Sequence, residues 1–144
     1  MYGSPEDPVY AMVSGTIVAI NAFTGPKAGF PWWNDTDAVL VQDRLGFFVY
    51  GEIRTNLNVG DIVEAGQQIG SMIPVLLAGK ERPDIAGHST TMLHLERYNN
   101  TYRPNDAMDW SAWDELRNRP HYLEDPTSYV VAAAIVKGVN RWLT

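Results

Sequence analysis

The chain has 144 residues, 45% of them apolar and 19% charged, a composition that suits one globular domain with a real core and excludes a disordered chain. A formal net charge of -6 and an isoelectric point near 4.9, with no cluster of Lys or Arg, argue against a nucleic-acid surface. No apolar run approaches the ~20 residues that a membrane helix needs, and the absence of cysteine removes disulfides, thiolate metal sites and cysteine catalysis together.

The opening stretch, MYGSPEDPVYAM, lacks a basic n-region and an apolar h-region, so no signal peptide is visible. PVYAMVSGTIVAI carries β-branched and aromatic residues around Ser14-Gly15, a turn signal between two short strands. NAFTGPKAGFPWWNDTD is dense in Gly, Pro, Asn and Asp and reads as a long loop with aromatic anchors. Two strands follow, Ala38 to Gln42 and Phe47 to Ile53, with Asp43 to Gly46 turning between them. In NVGDIVEAGQQIGSM, two Gly-marked turns frame short Ile/Val runs. Strands this short indicate a small barrel or sandwich rather than a helical bundle.

PVLLAGKERPDIAG reads as another loop, and TTMLHLERY as a final central strand. Alternate residues of a strand share a face, so His94 and Glu96 point the same way. DAMDWSAWDELRNR spaces Trp110, Trp113 and Leu116 as a short amphipathic helix does, and Pro120 stops it. SYVVAAAIVKGVNRWLT is read as a terminal helix started at Asp125-Pro126-Thr127, with a strand as the alternative that its β-branched residues leave open. The expected fold is therefore mainly β, a twisted antiparallel sheet of barrel-sandwich type with a short helical C-terminal part. Its domain covers residues 1–129 and a helical tail residues 130–144.

Four of these segments, in this order, resemble the lysostaphin/LytM-type zinc peptidases, which cut peptide cross-links in bacterial cell walls. Pro8-Val9-Tyr10-Ala11 with Ser14-Gly15-Thr16-Ile17-Val18 resembles the family's first strand pair. Asn58-Val59-Gly60-Asp61-Ile62-Val63 and Ala65-Gly66-Gln67-Gln68-Ile69-Gly70 resemble its "vkvGdrVkaGqvIG" segment. Met92-Leu93-His94-Leu95-Glu96 falls on its "HLHfE" strand, and Asp125-Pro126-Thr127 on its closing "DPt". The resemblance covers roughly Pro8 to Tyr129.

The resemblance implies a twisted antiparallel sheet with a groove, where two histidines and an aspartate hold one zinc. Such a metal polarises the scissile carbonyl and lowers the pKa of a bound water to about 7. Position by position, His94 matches the zinc-ligand histidine of H-x-H, and Met92 stands where a catalytic histidine is usual. Tyr50-Gly51-Glu52-Ile53 matches the Y-x-H-L strand, so Glu52 stands at another catalytic position. A variant branch of the family pairs "YGEI" with "sMLHfE" as this chain does, and Glu52 is the candidate general base. Glu96 corresponds to a carboxylate that orients the ligand histidine. The family's H-x-x-x-D, which supplies the other two zinc ligands, is expected ahead of Pro8-Val9, where MYGSPED contains no histidine.

A stable zinc site needs three protein ligands. His94 is the leading candidate, and the bland alternative is a structural strand histidine. His88, in Ala86-Gly87-His88-Ser89, is the substitute ligand, and the bland alternative is a solvated loop histidine. His121 after Pro120 reads as structural, and Glu6 and Asp7 are weak replacements for the lost aspartate. The bland reading of Glu96 is a strand-edge carboxylate paired with Arg97 or Arg54. Trp32, Trp33, Tyr50 and Met92 are the expected groove-lining residues. Phe30 and Pro31 complete the aromatic loop, which could equally form a plug or an assembly contact. Trp110 and Trp113 are expected in the core.

Ligand arithmetic thus leads to a peptidase-like domain with chemistry absent or much reduced. It would act as a cell-wall-binding, scaffold or regulatory module, with no cofactor required. Its partner would be a bacterial cell-wall peptide or a protein assembly, and the resemblance suggests envelope or extracellular action. The alternative is a variant zinc endopeptidase using Glu52 as general base and His94 as a zinc ligand, the remaining ligands coming from elsewhere. A third class, a biotinyl or lipoyl carrier, is suggested by GDIVEAGQQIG, but the turn reads Ser71-Met72-Ile73-Pro74 and offers no Lys to modify.

Overall fold

A computed structural model describes residue 1 and residues 3–80, 91–100 and 123–136. The strands are β1 (Pro8–Tyr10), β2 (Gly15–Thr24), β3 (Thr36–Gln42), β4 (Gly46–Arg54), β5 (Ile62–Val63), β6 (Gln68–Met72), β7 (His94–Asn99) and β8 (Leu123–Glu124), followed by helix α1 (Thr127–Val136). All eight strands join one sheet in the order β1-β6-β4-β3-β2-β5, with β7 pairing β4 and β8. Every pairing is antiparallel, and the sheet curls into a half-barrel. The expected mainly β class with a helical end is the one observed.

The β3–β4 hairpin is the centre. Asp43 starts its turn by accepting hydrogen bonds at Oδ1 from the backbone N–H of Leu45 (2.7 Å) and Gly46 (2.8 Å), the local bonding that favours Asp in turns. Both strands are buried on both faces. Val39, Val41, Phe48, Tyr50 and Ile53 enter one cluster with Val9, Ile17, Val63, Ile69, Met72 and Leu93. Ala38, Leu40, Phe47 and Val49 enter a second cluster with Tyr98, flanked by Val18, Ala19, Phe23 and Leu123. Strand alternation sends neighbours to opposite faces, so the two clusters lie on the two sides of the sheet.

Two sequence expectations need correction here. The stretch from Asn21 to Asp37 is not all loop, because β2 runs to Thr24 and β3 begins at Thr36. The Thr24 hydroxyl donates to the carbonyl of Asn34 and lies 2.7 Å from the Thr36 hydroxyl, so the pairing zips further than the Gly/Pro content suggested. Arg97, expected as a partner for Glu96, points to the other face. There it is fully buried, forms two bonds to Asp43 (2.9 and 3.0 Å) and lies 4.8 Å from the centroids of both Phe48 and Tyr129. Tyr129 belongs to α1, so this sandwich fastens the helix to the sheet.

The helix starts where the sequence suggested. Asp125 Oδ1 accepts from the Thr127 backbone N–H (2.9 Å) and hydroxyl (2.6 Å), the chemistry of an N-terminal cap. The 129/130 division drawn from sequence falls inside α1. The helix expected around Trp110, Trp113 and Leu116 lies outside the described residues, as do His88 and His121.

A candidate site where the sheet divides

One edge of β4 is shared by two strands. Gly46 through Gly51 pair with Asn99 through His94 of β7, and Ile53 and Arg54 pair with Met72 and Ser71 of β6. Glu52 sits at the fork, and its carbonyl accepts a hydrogen bond from Ile73 N–H (3.1 Å). On the opposite edge the β3 register slips at the same place: Asp37 faces Ile53 and Val39 faces Tyr50. Ala38 alone therefore opposes both Gly51 and Glu52, which is a β-bulge.

The bulge keeps Tyr50 and Ile53 in the same core cluster although they are an odd number of residues apart. It does so by placing Glu52 at φ 63°, a left-handed conformation unusual for a residue other than glycine, asparagine or aspartate. Glu52 is 9% exposed, and its Oε2 is buried without a hydrogen-bond partner. Burial pushes its carboxyl above the ordinary carboxylate range, an effect partly offset by His94 and by the ammonium of residue 1. Left-handed backbone and a buried carboxylate oxygen without a partner thus coincide at one residue, each at a cost to stability.

His94 opens β7 opposite Gly51. Its Nε2 lies 2.5 Å from Glu96 Oε1, and the Tyr98 hydroxyl donates to Glu96 Oε2. The three residues occupy alternate positions of β7, so one face of the strand carries an unbroken polar line. Glu96 is 4% exposed, whereas the His94 side chain keeps 22% of its surface. Phe23 stacks obliquely on the imidazole, with ring centroids 5.1 Å apart.

The aromatic loop borders the same end of the sheet, because it joins β2 to β3 beside Asp37, the partner of Ile53. Phe30, Trp32 and Trp33 contact one another, with centroids 5.2 to 6.3 Å apart, and Trp32 is 60% exposed. Asn34 ties the loop to the chain leaving β6: its Nδ2 donates to the carbonyls of Pro74 (2.8 Å) and Leu76 (3.1 Å), and its backbone N–H to that of Val75 (2.8 Å). Trp33 forms a bridge with Leu76.

The structure thus joins His94 to Glu96, places Glu52 next to Gly51, the residue that faces His94, and puts the Trp32–Trp33 loop at that end of the sheet. Met92 is half-buried just ahead of His94. Tyr50 lines no groove: it is fully buried, its hydroxyl accepts from Met12 N–H (2.8 Å), and burial raises its pKa far above the ordinary phenol value. Asp7 is engaged in a turn, its Oδ2 accepting from Ser4 N–H (2.7 Å), and Glu6 is exposed. Sequence reasoning missed Tyr98, although the alternation that linked His94 to Glu96 extends to it. It missed Phe23 because that residue was read as loop.

The donor chemistry can be tested against a zinc ion. A histidine whose Nε2–H is held by a carboxylate presents Nδ1 as a ligand, the usual support of a metal-bound imidazole. Among the described residues, however, no group of three or more His, Asp or Glu could hold a metal ion. The described residues therefore do not fit a complete zinc site.

No protein-family model matches the sequence, and no curated protein does. Solved structures do match. The catalytic domain of the antimicrobial peptidase lysostaphin from Staphylococcus simulans, crystallized in the absence of phosphate, is 19% identical with a TM-score of 0.53, covering 89% of this chain and 73% of that one. The antimicrobial peptidase lysostaphin from the same organism is 19% identical with a TM-score of 0.55, over 99% of this chain and 46% of that one. An NMR solution structure of lysostaphin is 21% identical with a TM-score of 0.54, over 92% and 41%. This chain thus spans less than half of the two longer lysostaphin chains. At these identities the likeness establishes the fold, which is that of the lysostaphin catalytic domain.

Proposed function

We infer that this chain is a peptidoglycan-directed domain that holds cell-wall peptide in a lysostaphin-like groove and has little or no hydrolytic power of its own. The observation that carries this reading is the donor chemistry: an imidazole at His94 supported by Glu96, with no group of three His, Asp or Glu able to hold a metal among the described residues. One imidazole does not hold zinc against water, because a stable site takes three protein ligands. The exposed Trp32 and its neighbours Phe30 and Trp33 offer flat apolar faces beside this polar line, suited to a ligand with both apolar and hydrogen-bonding parts. Such a ligand is found in the bacterial envelope or outside the cell. Among the described residues no helix is long and apolar enough to cross a membrane.

The test is sedimentation with insoluble peptidoglycan. Retention in the pellet, lowered by Trp32→Ala, supports the reading, and an unretained protein refutes it.

A second reading is favoured by the strain at Glu52. A buried acid on a left-handed backbone, one residue from the glycine that faces His94, is what a zinc endopeptidase with Glu52 as general base would use, with His88 among its ligands. Stoichiometric zinc in the purified protein that disappears in His94→Ala, together with release of peptides from peptidoglycan, would replace the first reading by this one.

A further inference from the structure

We propose that Tyr98 is a positioning residue for His94, acting through Glu96. A carboxylate accepts hydrogen bonds and a phenol has one proton to give, so the direction of the chain is fixed. Tyr98 donates to Glu96 Oε2, and Glu96 Oε1 therefore accepts from His94 Nε2, 2.5 Å away. The imidazole is therefore held with a proton on Nε2.

Neither end of this chain is loosely placed. Tyr98 is 7% exposed and packs in the cluster of Ala38, Leu40, Phe47 and Val49, with Phe47 directly opposite it on β4. Glu96 faces Val49 and His94 faces Gly51, so three consecutive pairs on that face of the β4–β7 ladder set the line. A carboxylate buried to 4% exposure among apolar neighbours needs both oxygens satisfied. Tyr98 satisfies one, which leaves the other committed to the histidine. Without the hydroxyl, the carboxylate can turn to seek a second donor, and the histidine loses its fixed partner.

The inference stands on side-chain geometry and not on what the groove binds, so its failure would leave the functional reading intact. Solution NMR of the full chain with nitrogen-15 in the histidines tests it. In the unsubstituted protein, His94 should show a downfield, slowly exchanging proton on Nε2 that vanishes in His94→Gln. In Tyr98→Phe, loss of that resonance to exchange is expected, while the backbone amide spectrum stays folded. Removing a competing donor without loosening the carboxylate would instead strengthen the remaining bond. A resonance that persists unchanged or moves further downfield therefore overturns the proposal, as does a neutral ring protonated on Nδ1 and not on Nε2. Should Tyr98→Phe not fold, the unsubstituted protein still decides: the Tyr98 hydroxyl proton is expected as a second slowly exchanging signal with a nuclear Overhauser contact to the His94 Nε2–H. Its absence refutes the assignment.

Discussion

The ring of Phe23 fills the space that a side chain on Gly51 would need. A Cβ at Gly51 would lie 2.8 Å from Phe23 Cε1, and the same ring stacks on His94. The glycine between Tyr50 and Glu52 therefore lets an aromatic side chain cross β4 and brace the imidazole. Gly51→Ala should push Phe23 off His94 and destabilise the fold by about 1–3 kcal/mol, the usual cost of overpacking. Urea unfolding gives the cost, and loss of the ring-current shift on the His94 protons gives the displacement.

Glu52 should be more stable as a glycine than as itself. The left-handed backbone costs a glutamate on the order of 1 kcal/mol that glycine does not incur, and Glu52→Gly also removes a buried unpaired oxygen. A rise in the urea midpoint without a change in slope is the expected result. A fall would mean that the bulge depends on the carboxylate.

The pH dependence of stability should carry the same signature. Because burial raises the Glu52 pKa in the folded state, the folded protein holds its proton where the unfolded chain has released it. There is no penalty below the unfolded carboxylate value of about 4.3. The penalty grows as pH rises from that value towards the raised folded pKa, and it is complete above. Relative to the parent, Glu52→Gln should therefore gain stability progressively across that window and hold a constant difference above it. Thermal unfolding at a series of pH values measures this.

The Arg97 sandwich should be the most costly polar feature to break. Its guanidinium is wholly buried and makes two bonds to Asp43. Arg97→Ala leaves that carboxylate without its cation, holding only the turn N–H groups of Leu45 and Gly46, and opens a cavity between Phe48 and Tyr129, for a loss of about 3–5 kcal/mol. Arg97→Lys keeps the charge but not the planar fork and should still be clearly destabilised. Proteolysis at α1 should accelerate in both variants, since Tyr129 loses the contact that fastens the helix.

Trp32 separates binding from folding. At 60% exposure its truncation should leave the melting temperature nearly unchanged, as surface substitutions do. Retention on peptidoglycan should weaken about tenfold if Trp32 is one of the few residues carrying the contact. Asn34→Ala should affect both, because its amide ties the loop to Pro74 and Leu76.

Much of this was legible from residue order alone. The β3–β4 hairpin announced itself by two apolar runs around a turn that Asp43 and Gly46 could make. The His94–Glu96 contact followed from the two-residue period of a strand. The same period would have ruled out Arg97 as the partner of Glu96, since adjacent residues face opposite ways, and would have extended the line to Tyr98. The bulge at Glu52 was not legible. It exists because β3 and β4 fall out of step by one residue there, and register between strands is a property of pairing rather than of either segment alone. The end of β2 was hidden because glycines and a proline just beyond it masked the side-chain bonds of Thr24.

The fork at Glu52 also has a consequence for how such a domain could diversify. The chain leaves the edge of β4 at Ile73, bonded to Glu52, and rejoins it at His94, opposite Gly51, so the two junctions are neighbours on one strand. Both ends of that detour are anchored, Pro74, Val75 and Leu76 by Asn34 and Leu93 in the core, so a change in it would have to keep those two attachments. Variation held between those attachments would leave the acid and the imidazole where they are.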